Sequence, residues 1–261
     1  MLIGMAIMPH GNEAVYPPDE ETRKLHENLK EIGEELRGAE TYVLITPHNV
    51  RISWALGVIM AEHLIPWLPF NDVDVPVEEE YGTDRELAQE IFLGAKAEFP
   101  IVDINFATSG GKYSRFPLTW GEIIPLYFLE KRPLILITPA KLERERLIEF
   151  GRFLGNLLEK ADKKVAVVVS ADHGHAHSEE GPYGYAEESE EYDKRIVEML
   201  KSGNLEGLLE FTDEFIAKAK PDSYWSLLIA LGILREIPMK PDLVSYACPT
   251  YYGMASALFR R

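Results

Sequence analysis

Short apolar runs alternate along the chain with longer stretches in which apolar positions recur every three or four residues. The runs predict strands at 2–8, 41–46, 55–59, 101–104, 133–138, 165–170 and 243–248. The periodic stretches predict helices at 19–37, 84–98, 119–129, 142–160, 188–201, 205–211 and 223–235. Helix starts are marked by Asp19 after Pro17 and Pro18, and by Thr83 and Asp84 with Glu86 in the first turn. The run from Val165 to Ser170 is apolar and mostly β-branched, as in a central strand covered on both faces. Alternation of this kind specifies an α/β fold: a central, mostly parallel or mixed sheet with helices on both faces. No internal repeat, low-complexity linker or basic tail interrupts it, so residues 1–261 read as a single domain.

Charge and cysteine content narrow the chemistry. Lys and Arg number 27 against 43 Asp and Glu, a net charge of −16, which argues against nucleic-acid binding and against attraction to an anionic membrane. No apolar stretch has the length of a membrane span, and the opening residues lack the basic segment of a signal peptide, so the expectation is a cytoplasmic protein. A homo-oligomer is compatible with this composition. Cys248 is the single cysteine, so no internal disulfide forms and any metal must rest on His, Asp or Glu. Gln89 is the single glutamine among many charged residues, a bias expected of a thermophilic source. The acidic clusters at 78–80 and 187–191 read as solvated surface. The stretch TSGGKYSR at 108–115 looks like a phosphate loop, but Asn105 and Phe106 stand where the upstream glycine belongs, and Tyr113 replaces the Ser or Thr. It reads as a glycine-hinged loop.

The seven histidines carry most of the information. His10 lies just beyond the first predicted strand and His48 just beyond the second, while His173, His175 and His177 follow the run ending at Ser170. In parallel sheets ligands bind outside the carboxyl ends of the strands, so three strand ends would deliver imidazoles to one edge. His26 and His63 fall in a predicted helix and a helix-like apolar stretch and read as structural. A histidine cluster without cysteine suits zinc, or non-haem Fe(II) held by two His and one carboxylate. His10 and His48 supply two imidazoles, and Asp222 is a candidate carboxylate; its alternative role is an ordinary helix N-cap.

These residues resemble the class III extradiol ring-cleavage dioxygenases of the catalytic B-subunit type, related to the DOPA dioxygenases and to the mediators of cell motility. The resemblance rests on His10 after the first strand, TPHN at 46–49, SADHGH at 170–175 and GPYGY at 181–185. It continues through EYDKRIVEMLKSGN at 191–204, DSYWSLLIALG at 222–232 and YYGMA at 251–255. It implies an α/β core and metal ligands at His10, His48 and Asp222, where the dioxygenases usually carry Glu and the motility branch Cys. It also implies Fe(II) as cofactor, which zinc can replace, His175 as general acid/base, and a small aromatic diol with O2 as substrates. An acidic residue matches Asp172 in some relatives, and His173 and His177 are additional candidates beside it.

Many ring-cleaving relatives place a substrate-facing His where Trp120 stands here. Trp120, with Tyr183 and Tyr185, is therefore expected to line an apolar pocket and to favour a less polar substrate. The alternatives are that Trp120 merely opens a helix, that Tyr183 and Tyr185 cover a turn, and that His175 is a further ligand or a loop residue bonded to Asp172. SADHG after a β-branched strand also resembles the alkaline phosphatase and sulfatase superfamily, which would make the protein a zinc-dependent phospho- or sulfo-hydrolase. That reading needs an early Asp and a Ser or Thr nucleophile, and the first strand ends in Met8-Pro9-His10 instead. A third reading is a non-enzymatic metal-binding or interaction protein of the cell-motility type.

Overall fold

The computed structural model describes residues 1–67, 75–77 and 80–261. Eight strands form the main sheet in the order β10-β11-β1-β9-β2-β8-β3-β6. They are β1 (Leu2–Met8), β2 (Thr41–Ile45), β3 (Leu56–Ile59), β6 (Ile101–Ile104), β8 (Leu134–Thr138), β9 (Val165–Ser170), β10 (Lys240–Ala247) and β11 (Met254–Arg260). β1, β9, β2 and β8 run parallel as one block, with Met8 opposite Ser170 and Ile45 opposite Val169, so their carboxyl ends share one edge. β11 pairs antiparallel with β1, and β3 antiparallel with β8, which makes the sheet mixed.

Alternation along the strands sorts the core into two layers. Met5 and Ile7 of β1, with Val167 and Val169 of β9, pack under α2 (Arg85–Ala95), α4 (Arg144–Glu159), α5 (Glu187–Ser202) and α7 (Tyr224–Glu236). Ala6, Met8, Ala166 and Val168 face α1 (Glu20–Glu35) and α3 (Trp120–Tyr127). Helices thus cover both faces. α4 and α7 cross at a glycine contact: a Cβ on Gly151 would lie 2.1 Å from the Ile229 carbonyl oxygen, and one on Gly232 2.0 Å from that of Ile148. That crossing fixes α7, whose leading segment carries Asp222.

Several elements differ from expectation. β11 reads MASALFR, with small residues in place of a β-branched run, and becomes a strand because both its neighbours offer free edges. β4 (His63–Pro66), β5 (Tyr81–Gly82) and β7 (Arg115–Leu118) form a separate three-stranded sheet. Pro66 and Pro117 disguise two of these strands. His63 therefore sits on a strand, bonded through Nδ1 to Glu80 at 2.6 Å, and not in a helix-like stretch. The segment Leu205–Glu210 is a 3-10 helix instead of an α-helix, with Gly207 inside it, and a short α6 (Asp213–Ala219) follows. Of the acidic cluster at 78–80, Glu78 and Glu79 lie outside the described residues. Glu187, Glu190 and Glu191 are exposed on the first turns of α5. The glycine-hinged loop is held by Glu62, which accepts from the Gly111 amide at 3.0 Å, and by Arg85, which donates to the Ser109 carbonyl at 2.9 Å.

Candidate metal centre

The parallel block sets the site. His10 stands two residues beyond β1, His48 three beyond β2, and Asp172 two beyond β9, which lies between them. Asp222 enters from the segment before α7. His10 Nε2, His48 Nε2 and Asp222 Oδ2 form a triangle with edges of 3.0 Å (His10–His48), 2.9 Å (His10–Asp222) and 3.1 Å (His48–Asp222). Among the described residues this is the group of His, Cys, Asp and Glu side chains able to hold a metal ion. Ligand atoms about 2.1 Å from an ion lie about 3.0 Å apart on one face of an octahedron, and about 3.4 Å apart in a tetrahedron. The observed edges match the octahedral face, so the donor set fits a metal bound by two His and one carboxylate with the opposite face open. The Asp222 carboxylate is spent on these rings and, through Oδ1, on the Asp172 amide at 3.0 Å. It is not a helix N-cap; Ser223 occupies that position.

Neighbouring groups fix the orientation of the rings. The Ser170 hydroxyl donates to the Gly121 carbonyl at 2.5 Å, so its oxygen accepts from His10 Nδ1 at 2.9 Å. That hydrogen bond keeps a proton on Nδ1, so Nε2 is the nitrogen that gives up its proton when a metal is bound in the triangle. Asp172 accepts the His10 amide at 3.0 Å. His48 is held in a tight turn: its amide and Thr46 Oγ1 lie 3.3 Å apart, and Thr46 Oγ1 donates to the His48 carbonyl at 3.0 Å. The next residue, Asn49, has φ 117°, a left-handed conformation kept by its side chain's bond to the Pro117 carbonyl at 3.1 Å. Gly121 lies against the same turn: a Cβ there would be 2.7 Å from His48 Cβ and 2.8 Å from Thr46 Oγ1. The first turn of α3 thus supports both imidazoles.

Charge is concentrated and buried here. Burial opposes a proton on His10, but Asp172 and Asp222 outweigh it and push the ring up to about 9. Burial and the neighbouring His10 charge hold His48 below its usual value. Burial raises Asp222, yet His10 and His48 more than reverse this and hold its carboxyl well below the carboxylate range. Burial also raises Asp172 to about 6 and Glu122 to about 7, and lowers His173 to about 4. A cation entering the triangle would therefore displace a proton from His10, so metal affinity falls as the solution becomes more acidic.

His175 stands at the rim, with Nε2 3.7 Å from Asp222 Oδ2. Its Nδ1 donates to the His173 carbonyl at 2.6 Å, so in the neutral ring Nε2 is the acceptor facing the site. The ring stacks on Tyr252 at 5.6 Å and meets Tyr183 at 6.1 Å and Tyr251 at 6.3 Å.

A family match can be set against this geometry. Residues 4–257 match the family described as the catalytic LigB subunit of aromatic ring-opening dioxygenase. The chain belongs to the LigB family. It is also similar to protein CA_C1420 of Clostridium acetobutylicum, 27% identical over 258 residues that make up 94% of this chain and 54% of that protein. The chain thus spans about half the length of that relative. The crystal structure of uncharacterized protein JW3007 from Escherichia coli K12 has the same fold, with a TM-score of 0.66 over 98% of this chain and 99% of the other at 16% identity.

Within this LigB-family chain the remaining candidates divide. Trp120 packs its ring 4.7 Å from that of His48, and Tyr183 reaches His175. Tyr185 is exposed and donates to Glu190 at 3.0 Å, a contact away from the triangle. His173 is buried behind the site, bonded to Ser223 Oγ at 3.0 Å. His177 is bonded to the buried Asp193 at 2.8 Å, which also accepts from Tyr246 at 2.7 Å, so it belongs to a separate structural cluster. Ser170, Gly121, Tyr252 and Trp225 escaped the sequence reading. Trp225 follows Asp222 by three residues, a spacing that could have flagged it. A cavity of about 340 Å³ opens at Asp222, lined by Pro47, Arg51, Pro139, Lys141 and Trp225 among others. Grooves of about 410 and 470 Å³ along α5 touch none of the three triangle residues. Among the described residues no helix is long and apolar enough to cross a membrane.

Proposed function

We propose that the protein is a non-haem Fe(II)-dependent extradiol dioxygenase that opens a small catechol-like ring beside its diol and incorporates both atoms of O2. The observation that carries the reading is the His10–His48–Asp222 triangle with octahedral-face spacing in a LigB-family chain. Bound there, Fe(II) would supply a redox-capable Lewis acid with open positions for the diol and O2.

The protein's own residues account for the proton and the ring. His175 accepts a substrate hydroxyl proton at Nε2, since its Nδ1 proton is committed to the His173 carbonyl, and returns that proton as the ring opens. Stacking on Tyr252, whose hydroxyl is bonded to Glu13, keeps the imidazole plane in place. Ser170 and Asp172 orient His10. Trp120 and Tyr183 supply flat apolar surface near His48 and His175 that binds an aromatic ring and excludes water.

Anaerobic loading with Fe(II), followed by a catechol panel with O2 uptake and product analysis, tests the reading. Ring-opened product with one O2 consumed per turnover supports it. His175→Ala should retain metal and lose turnover, whereas His10→Ala and His48→Ala should lose metal. Full iron loading without binding or turnover of any catechol refutes the activity. Unchanged metal stoichiometry in both ligand variants refutes the site, and loss of metal in His175→Ala refutes the base role.

A further inference from the structure

We infer that Asp193, a carboxylate outside the triangle, is the positioning residue for His175: it fixes the backbone beside that imidazole and the hairpin loop whose ring the imidazole stacks on. The placement stands on geometry; its consequence for turnover rests on the dioxygenase reading.

The stretch 191–204 carries part of the family resemblance but contributes no side chain to the triangle. Asp193 in that stretch lies on α5 and is 2% exposed, a costly burial unless its oxygens are bonded. They are bonded three times. Oδ1 accepts the Gly174 amide at 2.6 Å, and Oδ2 accepts from His177 Nε2 at 2.8 Å and from the Tyr246 hydroxyl at 2.7 Å.

Residues 173–176 belong to no helix or strand, yet every backbone amide from His173 to His177 has a partner. His173 and His177 donate to the carbonyls of Gly253 and Tyr251 at 2.8 and 3.2 Å, and His175 donates to that of Ala219 at 2.9 Å. Ala176 donates to Ser189 Oγ at 3.0 Å, one turn of α5 before Asp193. A segment without a ladder of its own takes its shape from such partners, and the partner of the residue preceding His175 is Asp193.

The same carboxylate meets the other half of the stack. The loop between β10 and β11 carries Tyr252 against the His175 ring at 5.6 Å. Tyr246, near the end of β10, donates to Asp193, and a Cβ on Gly253 would run into Asp193 Oδ2. The Gly253 amide in turn donates to the Gly174 carbonyl at 3.0 Å. One side chain therefore holds Gly174 and both ends of the loop that presents Tyr252. Tyr192, Ile196 and Leu200 root α5 in the core, so Asp193 passes the position of a packed helix to an irregular segment.

Asp193→Asn keeps the side chain's shape but presents an NH2 group to donors it now satisfies. The first readout is NMR of the metal-free full chain with isotope-labelled histidine, His175 being assigned from His175→Ala. Its ring protons should carry an upfield ring-current shift that is lost in Tyr252→Leu and falls by more than half in Asp193→Asn. With Fe(II) loaded anaerobically, iron content and catechol affinity should stay within twofold of wild type, while kcat falls about 10–100-fold. Unchanged His175 signals in Asp193→Asn overturn the inference. Parallel loss of iron does so too, since Asp193 would then support the whole site. If Asp193→Asn does not fold, Tyr246→Phe removes one donor from Oδ2 and should move the same signals; unchanged signals there overturn the inference equally. A displaced His175 ring in a protein whose wild type turns over no catechol keeps the positioning role and removes the dioxygenase reading. Catechol turnover at wild-type kcat in Asp193→Asn does the reverse.

Discussion

Gly121→Ala adds a single methyl group that should act on metal binding without replacing a ligand. The added Cβ would lie 2.7 Å from His48 Cβ and 2.8 Å from Thr46 Oγ1, where ordinary contacts begin at 3.4 Å, so His48 must retreat by about 0.7 Å. Gly121 lies in a helix with ordinary φ, so the substitution adds contact and no backbone strain. A retreat of that size is about a quarter of the triangle's 3.0 Å edge between the two rings. Misplacing a ring at this scale weakens metal binding by about 10–100-fold, or about 1.4–2.7 kcal/mol. The crowding itself costs about 1–3 kcal/mol of folding stability. Competition with a chelator under anaerobic conditions measures the affinity, and thermal unfolding of the metal-free protein measures the folding cost separately. Gly82→Ala serves as the control, since a Cβ there meets nothing within 4 Å. A folded Gly121→Ala protein that binds metal within twofold of wild type would refute the close approach of α3 to His48, and with it the account of how the triangle is held.

Ser170→Ala removes the acceptor that fixes the His10 tautomer and should lower metal affinity by about 10–100-fold; unchanged affinity in the chelator assay would show that the ring needs no such partner. Burial works against a charge on His177, but Asp193 and Cys248 reverse this and push it up to about 10. Because that value lies above the unfolded 6.5, the stabilisation is fully present below about pH 6.5 and is lost as pH rises through about 10. The Tm difference between wild type and His177→Gln should therefore shrink across that interval, and a difference that grows with pH contradicts the pairing with Asp193. Trp120→His should shift substrate preference toward more polar rings at constant metal content; a variant that unfolds instead assigns the indole to the core.

The sequence determined which segments are buried and on how many sides. The β-branched run at Val165–Ser170 reads as a central strand, and the predicted bounds of β1, β6 and β9 coincide with those observed because their apolar runs give way to Pro9, Asn105 and Ser170. It also placed His10 and His48 just past strand ends, and a single cysteine confined the metal donors to His, Asp and Glu. Strand order lay beyond it, because periodicity encodes a strand's faces and not its neighbours. Only the packed sheet inserts β9 between β1 and β2 and so brings Asp172 and His175 to rings 124 or more residues away in sequence. The sequence named Asp222 as a candidate ligand but left an N-cap as its alternative role; packing decides between them, because the glycine crossing of α4 and α7 sets that helix against the sheet edge, where the carboxylate meets two imidazoles. Proline in β4 and β7 and small residues in β11 masked strands that form because a neighbouring edge offers hydrogen bonds. Arg51 and Lys141, 90 residues apart in sequence, line one cavity only because β2 and β8 pair in parallel and release their loops at the same edge. Local pattern fixes what each segment buries; long-range packing, which depends on all segments at once, fixes what each one meets.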